Sequence, residues 1–178
     1  SEETVLISYS DIIFRKSMVE KFLADESSDI SIVVDQEWAT RYRGRTLHPL
    51  AQAEAARFSD QEYLLQTGKD LLTENHDSLC WGEFIGMMKM TPKGRDQFWG
   101  VFEDVNSKVA MDDSFQGASA WRLAYITDLL QEMVDRGIQI HCSLIQGGWL
   151  EIDTTEDYEL AARFDFSEAG NSRSISPK

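Results

Sequence analysis

The first part of the chain, up to Asp35, limits the folds open to it. Residues 5–13, VLISYSDII, form an apolar run with one acid inside it. In residues 14–25, Met18, Val19, Phe22 and Leu23 recur at helical spacing, the mark of an amphipathic helix. Residues 29–35, DISIVVD, are apolar and β-branched and read as a second strand. Strand, helix and strand in about thirty residues make a βαβ unit. Such a unit implies a parallel pair in a sheet covered on both faces.

The rest of the chain extends the pattern. Residues 36–50 break the apolar rhythm and read as a loop. Residues 54–67 read as two short strands, or a strand and a turn, ending in Thr67-Gly68-Lys69-Asp70. Residues 71–78 are polar and read as a loop. Residues 79–90 form an apolar strand interrupted by Gly82 and Gly86, and glycine inside a strand marks close approach of a ligand or another backbone. Thr91-Pro92 starts a helix that runs to about residue 105 and buries Phe98, Trp99 and Phe102. A second long helix starts near Ser119, carries Trp121, Leu129, Leu130 and Met133, and closes at Gly137. Residues 138–145 form a strand leading to the Gly147-Gly148 turn. Residues 149–153, WLEID, alternate as a half-buried strand does. Thr154-Thr155 then caps a helix with Glu156 and Asp157 in its first turn. The expectation is one α/β domain over residues 1–165, with a mixed, mostly parallel central sheet and flanking helices, followed by a flexible tail over 166–178.

Composition excludes some partners. The chain has 178 residues, enough for one sizeable core, and a net charge of −14 from 31 acids against 17 bases. That balance disfavours nucleic acid and anionic membranes, though Mg²⁺ reconciles an acidic site with a nucleotide. Cys80 and Cys142 are far apart and read as free thiols of a cytoplasmic protein. No signal peptide, membrane-length apolar stretch or internal repeat is visible. Oligomeric state is not constrained.

Several acids stand where an apolar pattern does not want them. Glu151 and Asp153 are two apart, so on a strand they share a face. Asp153 ends a strand beside a helix start, and Asp11 interrupts an apolar strand near its end. Such an Asp is costly unless it is paired or ligates a metal. In open parallel sheets ligands sit beyond the carboxyl ends of the strands. Asp11 and Asp153 are therefore candidates to clamp one Mg²⁺ on a nucleotide phosphate. The plain alternative is an acidic strand end with no role. The loop over residues 36–50 holds Trp38, Arg41, Tyr42, Arg43, Arg45 and His48. Arg43 or Arg45 suits a phosphate or phosphonate, which an arginine fork grips bidentately; the alternative is arginines paired with local acids. Trp38, in a polar loop, is not expected in the core. His48 reads as a structural hydrogen-bonder.

The segments VLISYSDIIF, GEFIGMMKMTPKG and WLEIDTTEDYELA occur in that order. With Asp35-Gln36-Glu37-Trp38, Tyr42, Gly44 and Arg45 between them, they resemble the later two-thirds of a nucleotidyltransferase of the sugar-phosphate and phosphocholine cytidylyltransferase type. The pattern looks closest to the branch acting on phosphocholine and aminoethylphosphonate-like acceptors, over roughly residues 5–163. The resemblance implies a nucleotide-diphospho-sugar transferase-like fold and Mg²⁺-dependent transfer of CMP from CTP to a phosphate or phosphonate oxygen. Asp11 and Asp153 would be the catalytic metal ligands, and Glu83 would face the acceptor. An ammonium on the acceptor would meet the faces of Trp38, Tyr42, Trp81 and Trp149, with Glu83 or Glu151 supplying charge. One departure is large: the family's glycine-rich loop and following Pro-Lys element have no match here. The expected explanation is an incomplete N-terminus, which would leave this chain inactive alone; the alternative is a natural protein that lost the element. A sugar-1-phosphate nucleotidyltransferase and a non-catalytic relative of the fold are the competing classes.

Overall fold

The computed structural model describes residues 3–42, 45–47, 49–71 and 80–167. Its spine is β6 (Trp81–Met90), buried along nearly its whole length. Along one edge β6 pairs antiparallel with β3 (Ile30–Asp35). Two strands share the other edge: β4 (Ala55–Phe58) takes the first part and β1 (Val5–Ser8) the last. β5 (Leu64–Gly68) extends the sheet antiparallel to β4, and β7 (His141–Ile145) joins β3 in its parallel ladder. β1, β3, β4 and β7 therefore run one way, and β5 and β6 the other. The sheet is mixed and mostly parallel in strand direction, but its ladders are mostly antiparallel. The expected strand–helix–strand unit is split: β1 and β3 run parallel with β6 inserted between them.

Residues 5–13 are two strands rather than one. The β1 ladder ends where the Tyr9 N–H donates to the Gly86 carbonyl at 2.9 Å. The chain then bends at Ser10-Asp11, and β2 (Ile12–Phe14) leaves the sheet to pair antiparallel with β8 (Trp149–Glu151) in a separate ribbon. Gly86 makes the exchange of partners on β6 possible. Its φ of +74° favours glycine, and a Cβ there would collide with the Tyr9 ring. Beside it, one residue of β3 spans three of β6 in a bulge.

Both faces of the sheet are covered, which is why all six residues of β3 are buried. On one face α1 (Lys16–Ala24) sets Met18 and Phe22 against Val33, Ile85, Met87 and Trp149. On the other, α3 (Pro92–Lys108) and α4 (Ile126–Asp135) pack on Ile30, Ile32, Val34, Phe84 and Met88. The Thr91 hydroxyl caps α3 by accepting from the Gly94 N–H at 3.2 Å. Trp99, expected in the core, is 56% exposed and stacks on Phe102. Gly94, Val101 and Val105 are the buried residues of α3 instead, because Gly94 lies too close to the Asp29 carbonyl for any side chain there. The long helix expected from Ser119 starts at Ile126. Asp128 fixes that start by accepting from the Tyr125 N–H at 2.8 Å and the Gly117 N–H at 3.0 Å. Within residues 36–50, read as loop, lies a short helix, α2 (Trp38–Tyr42). α5 (Thr155–Ala161) is capped by Thr154 and Asp157 as the sequence indicates. Neither Cys80 nor Cys142 is in a disulfide. Among the described residues no helix is long and apolar enough to cross a membrane.

Candidate functional site

The β2–β8 ribbon unites two acids 142 positions apart. Ile12 lies opposite Glu151, and the Ile152 N–H donates to the Asp11 carbonyl at 2.8 Å. Asp11 and Asp153 consequently flank one end of the ribbon and line one cleft of about 200 Å³. Glu54, Glu83 and Glu151 line the same cleft, with Lys69 as its basic residue. The expected common face for Glu151 and Asp153 is realised, although β8 ends at Glu151. Among the described residues no three His, Cys, Asp or Glu side chains converge as a ready-made metal cage.

Crowding and burial hold protons on this cleft. Burial is the main cause that pushes Glu83 up to about 8; Glu151 and Asp35 add to it, while the Tyr42 hydrogen bond and Arg41 oppose it. Glu151 is pushed up to about 7 by burial and then by Asp153, Asp11 and Glu54, against Arg45. Burial also raises Glu54, although it accepts from the Tyr9 hydroxyl at 2.9 Å. Tyr9 and Tyr42 are raised, first by burial and then by the carboxylates they face, so both phenols stay neutral donors.

Asp35, at the end of β3, is fully buried and saturated. Its Oδ1 accepts from the Glu37 N–H at 3.0 Å and the Gly147 N–H at 2.9 Å. Its Oδ2 accepts from Arg41 Nε at 2.7 Å and Trp149 Nε1 at 2.9 Å. Arg41 also reaches the Trp149 carbonyl. One carboxylate thus locks α2, the β7–β8 turn and β8 together, and so fixes the ribbon that carries Asp153.

The remaining expected residues divide. Trp149 lines the cleft. The Tyr42 hydroxyl donates to Glu83 Oε1. Trp38 is not in an open loop: at 2% exposure it forms a satellite core with Ala53 and Ala55, because residues 38–42 coil into α2 and turn it inward. Trp81 packs against that satellite core, outside the residues lining the cleft. Arg45 forms an ion pair with Asp157 at 2.5 Å and lies over the Tyr42 ring, which is the local pairing weighed as its alternative. Arg43 and His48 lie outside the described residues. Asp35, Tyr9, Glu54 and Lys69 carry roles that the sequence reading did not assign. Glu54 had a signal of the same kind as Asp11: an acid within the small apolar run Ala53-Glu54-Ala55-Ala56. A wider cavity of about 490 Å³ shares Trp149 and Glu151 with the cleft and adds Arg41, Arg45 and Arg163.

No family model matches the chain. A curated relative, the CTP:phosphoglutamine cytidylyltransferase of Campylobacter jejuni, is 25% identical over 160 residues, covering 89% of this chain and 59% of that protein. The inositol-1-phosphate CTP transferase from T. maritima superposes with a TM-score of 0.55 at 18% identity, over 92% of this chain and 57% of its own. A nucleoside-diphosphate-sugar pyrophosphorylase from Vibrio cholerae RC9 gives 0.56 at 14%, over 90% and 56%. A putative glucose-1-phosphate thymidylyltransferase from Bacillus anthracis gives 0.55 at 12%, over 97% and 58%. The fold is that of the nucleotidyltransferases acting on nucleotide sugars and related phosphates. In sequence the chain is distantly similar to a cytidylyltransferase, as the motifs indicated, and it spans less than two-thirds of the length of that relative.

Proposed function

We propose that the full-length protein transfers CMP from CTP to a phosphate or phosphonate oxygen of a small amine-bearing acceptor. The acceptor oxygen forms a bond to the α-phosphorus; the bond from that phosphorus to the bridging oxygen breaks, and pyrophosphate leaves with the electron pair. An anionic phosphate oxygen needs no general base, so the protein's work is positioning and charge neutralisation. The observation that carries the reading is the pairing of Asp11 and Asp153 across the end of the β2–β8 ribbon, in one acidic cleft.

The donors fit a hard divalent cation. Asp11 and Asp153 offer carboxylate oxygens, and the repulsion among the cleft acids, which after burial is what raises Glu151, is what such a cation relieves. Two carboxylates leave positions for phosphate oxygens, the usual arrangement for Mg²⁺. Bound there, Mg²⁺ would supply charge neutralisation for the reacting phosphates. Lys69 lines the same cleft and would supply positive charge for a phosphate there. The surplus of acids favours an acceptor with a positive end, and phosphoglutamine, in the name of the Campylobacter relative, is a phosphorylated amine-bearing molecule.

The test is pyrophosphate release by the full-length protein with Mg²⁺, CTP or UTP, and either 2-aminoethylphosphonate or glucose 1-phosphate. The expected result is turnover with CTP and the aminophosphonate, abolished by EDTA and restored by Mg²⁺. Preference for UTP and the sugar phosphate would replace this reading with the sugar enzyme.

A further inference from the structure

We infer, on the basis of the cytidylyl-transfer reading above, that the positive end of the acceptor is an ammonium that donates hydrogen bonds, seated on Glu83, and that a quaternary ammonium is disfavoured. Glu83 is 4% exposed and lines the acidic cleft. Its Oε1 accepts from the Tyr42 hydroxyl. Its Oε2 is buried and has no hydrogen-bond partner among the described residues. Without a donor at that oxygen the buried group keeps its proton, and an arriving N–H donor is what lets it ionise. A primary ammonium brings three N–H donors, whereas a trimethylammonium brings none.

A quaternary ammonium would instead need open aromatic faces. Of the four aromatic residues that line the cleft, Trp149 and Tyr125 already carry the protein's own cations, while Tyr9 and Phe84 pack edge to face on each other with the Tyr9 ring against Gly86. The Arg41 guanidinium lies 4.5 Å from the Trp149 ring centroid, and the Lys69 ammonium 3.8 Å from that of Tyr125. Trp38 is buried in the satellite core, and Trp81 packs there with the Arg57 guanidinium 6.0 Å from its ring. What the cleft leaves unsatisfied is an acceptor atom rather than a π face.

The groups electrostatically coupled to Glu83 are Tyr42 and Arg41 from α2, Asp35 from β3 and Glu151 from β8. Arg41 is held by Asp35 and the Trp149 carbonyl. With Glu83 pushed up to about 8, its carboxyl holds a proton at neutral pH that an arriving ammonium displaces. Binding should therefore release a proton and tighten as pH rises from 7 towards 8.

The experiment compares phosphoethanolamine, phosphocholine and glycerol 3-phosphate on the full-length protein, by kcat/KM with CTP and by calorimetry in two buffers of different ionisation enthalpy. The wild type should prefer phosphoethanolamine over phosphocholine by about tenfold or more, the order of one charge-assisted hydrogen bond, with proton release on binding. Glu83→Gln should bring the two acceptors within about twofold and remove the proton release, while Glu83→Asp retains part of both. If Glu83→Gln does not fold, wild-type preference and proton release decide alone. Equal or better use of phosphocholine, or preference unchanged in Glu83→Gln, overturns the inference and leaves the transferase reading standing. Absence of transfer to any acceptor, with phosphoethanolamine still bound through Glu83, overturns the transferase reading and keeps the ammonium seat. Neither binding nor transfer overturns both.

Discussion

Asp35 and Glu83 face each other across the β3–β6 ladder, and both are buried. Asp35 accepts four hydrogen bonds, one of them from an arginine. Glu83 accepts one and keeps an oxygen without a partner. A buried carboxylate whose acceptors are all filled ties elements together and has no capacity left for a ligand. One left incomplete next to a cleft costs stability and has capacity to bind. The same sheet end thus carries a structural acid and, on the inference above, a recognition acid side by side, and hydrogen-bond satisfaction separates them where burial does not.

Asp35→Asn tests the structural half and should have the largest effect. The amide carries no charge, leaving a largely buried Arg41 without its carboxylate. Loss of a buried pair costs about 3–5 kcal/mol, read as a lower midpoint in urea unfolding. A loss under about 1 kcal/mol would remove Asp35 as the lock of the ribbon.

Glu83→Gln should change stability at pH 7 by about 1 kcal/mol or less. The Tyr42 hydroxyl keeps its acceptor, and one unsatisfied polar atom replaces another. A loss as large as that of Asp35→Asn would make Glu83 a second structural acid and erase the contrast.

The last effect is a slope with pH. Glu83 binds its proton more tightly folded, at about 8 against the ordinary 4.5. Its contribution is fully present below 4.5 and is lost as pH rises through 8. Thermal midpoints of the wild type should fall across that window, and less steeply in Glu83→Gln. Some slope should remain, because Glu151, pushed up to about 7, acts in the same direction. Parallel profiles for the two proteins would show that Glu83 is ordinary.

Sequence reading found the acids that break an apolar pattern. Asp11 and Asp153 stood out because each interrupts or ends an apolar strand, and the ribbon joins them. What it could not find was satisfaction. Nothing in DQEW indicates that Asp35 would be filled by Arg41, Gly147 and Trp149, which approach through tertiary structure. Lys69 read only as part of a turn, and its place in the cleft depends on how β5 meets the sheet edge. Trp38 departs from expectation because a polar neighbourhood in sequence is not a polar neighbourhood in space; five residues of helix suffice to bury it. The split of residues 5–13 was hidden because Tyr9-Ser10-Asp11 continues the strand composition, while Gly86 on a distant strand decides where β1 ends.

The most direct measurement is a double-mutant cycle on the two ribbon acids in the full-length protein. Asp11→Asn, Asp153→Asn and the double variant are compared by pyrophosphate release with Mg²⁺, CTP and an aminophosphonate, with circular dichroism to confirm the fold. If the two carboxylates hold one ion together, each single variant loses at least roughly a hundredfold in kcat/KM, and the double is no worse than the poorer single. Near-wild-type turnover in either single, or losses that multiply in the double, would contradict a shared site.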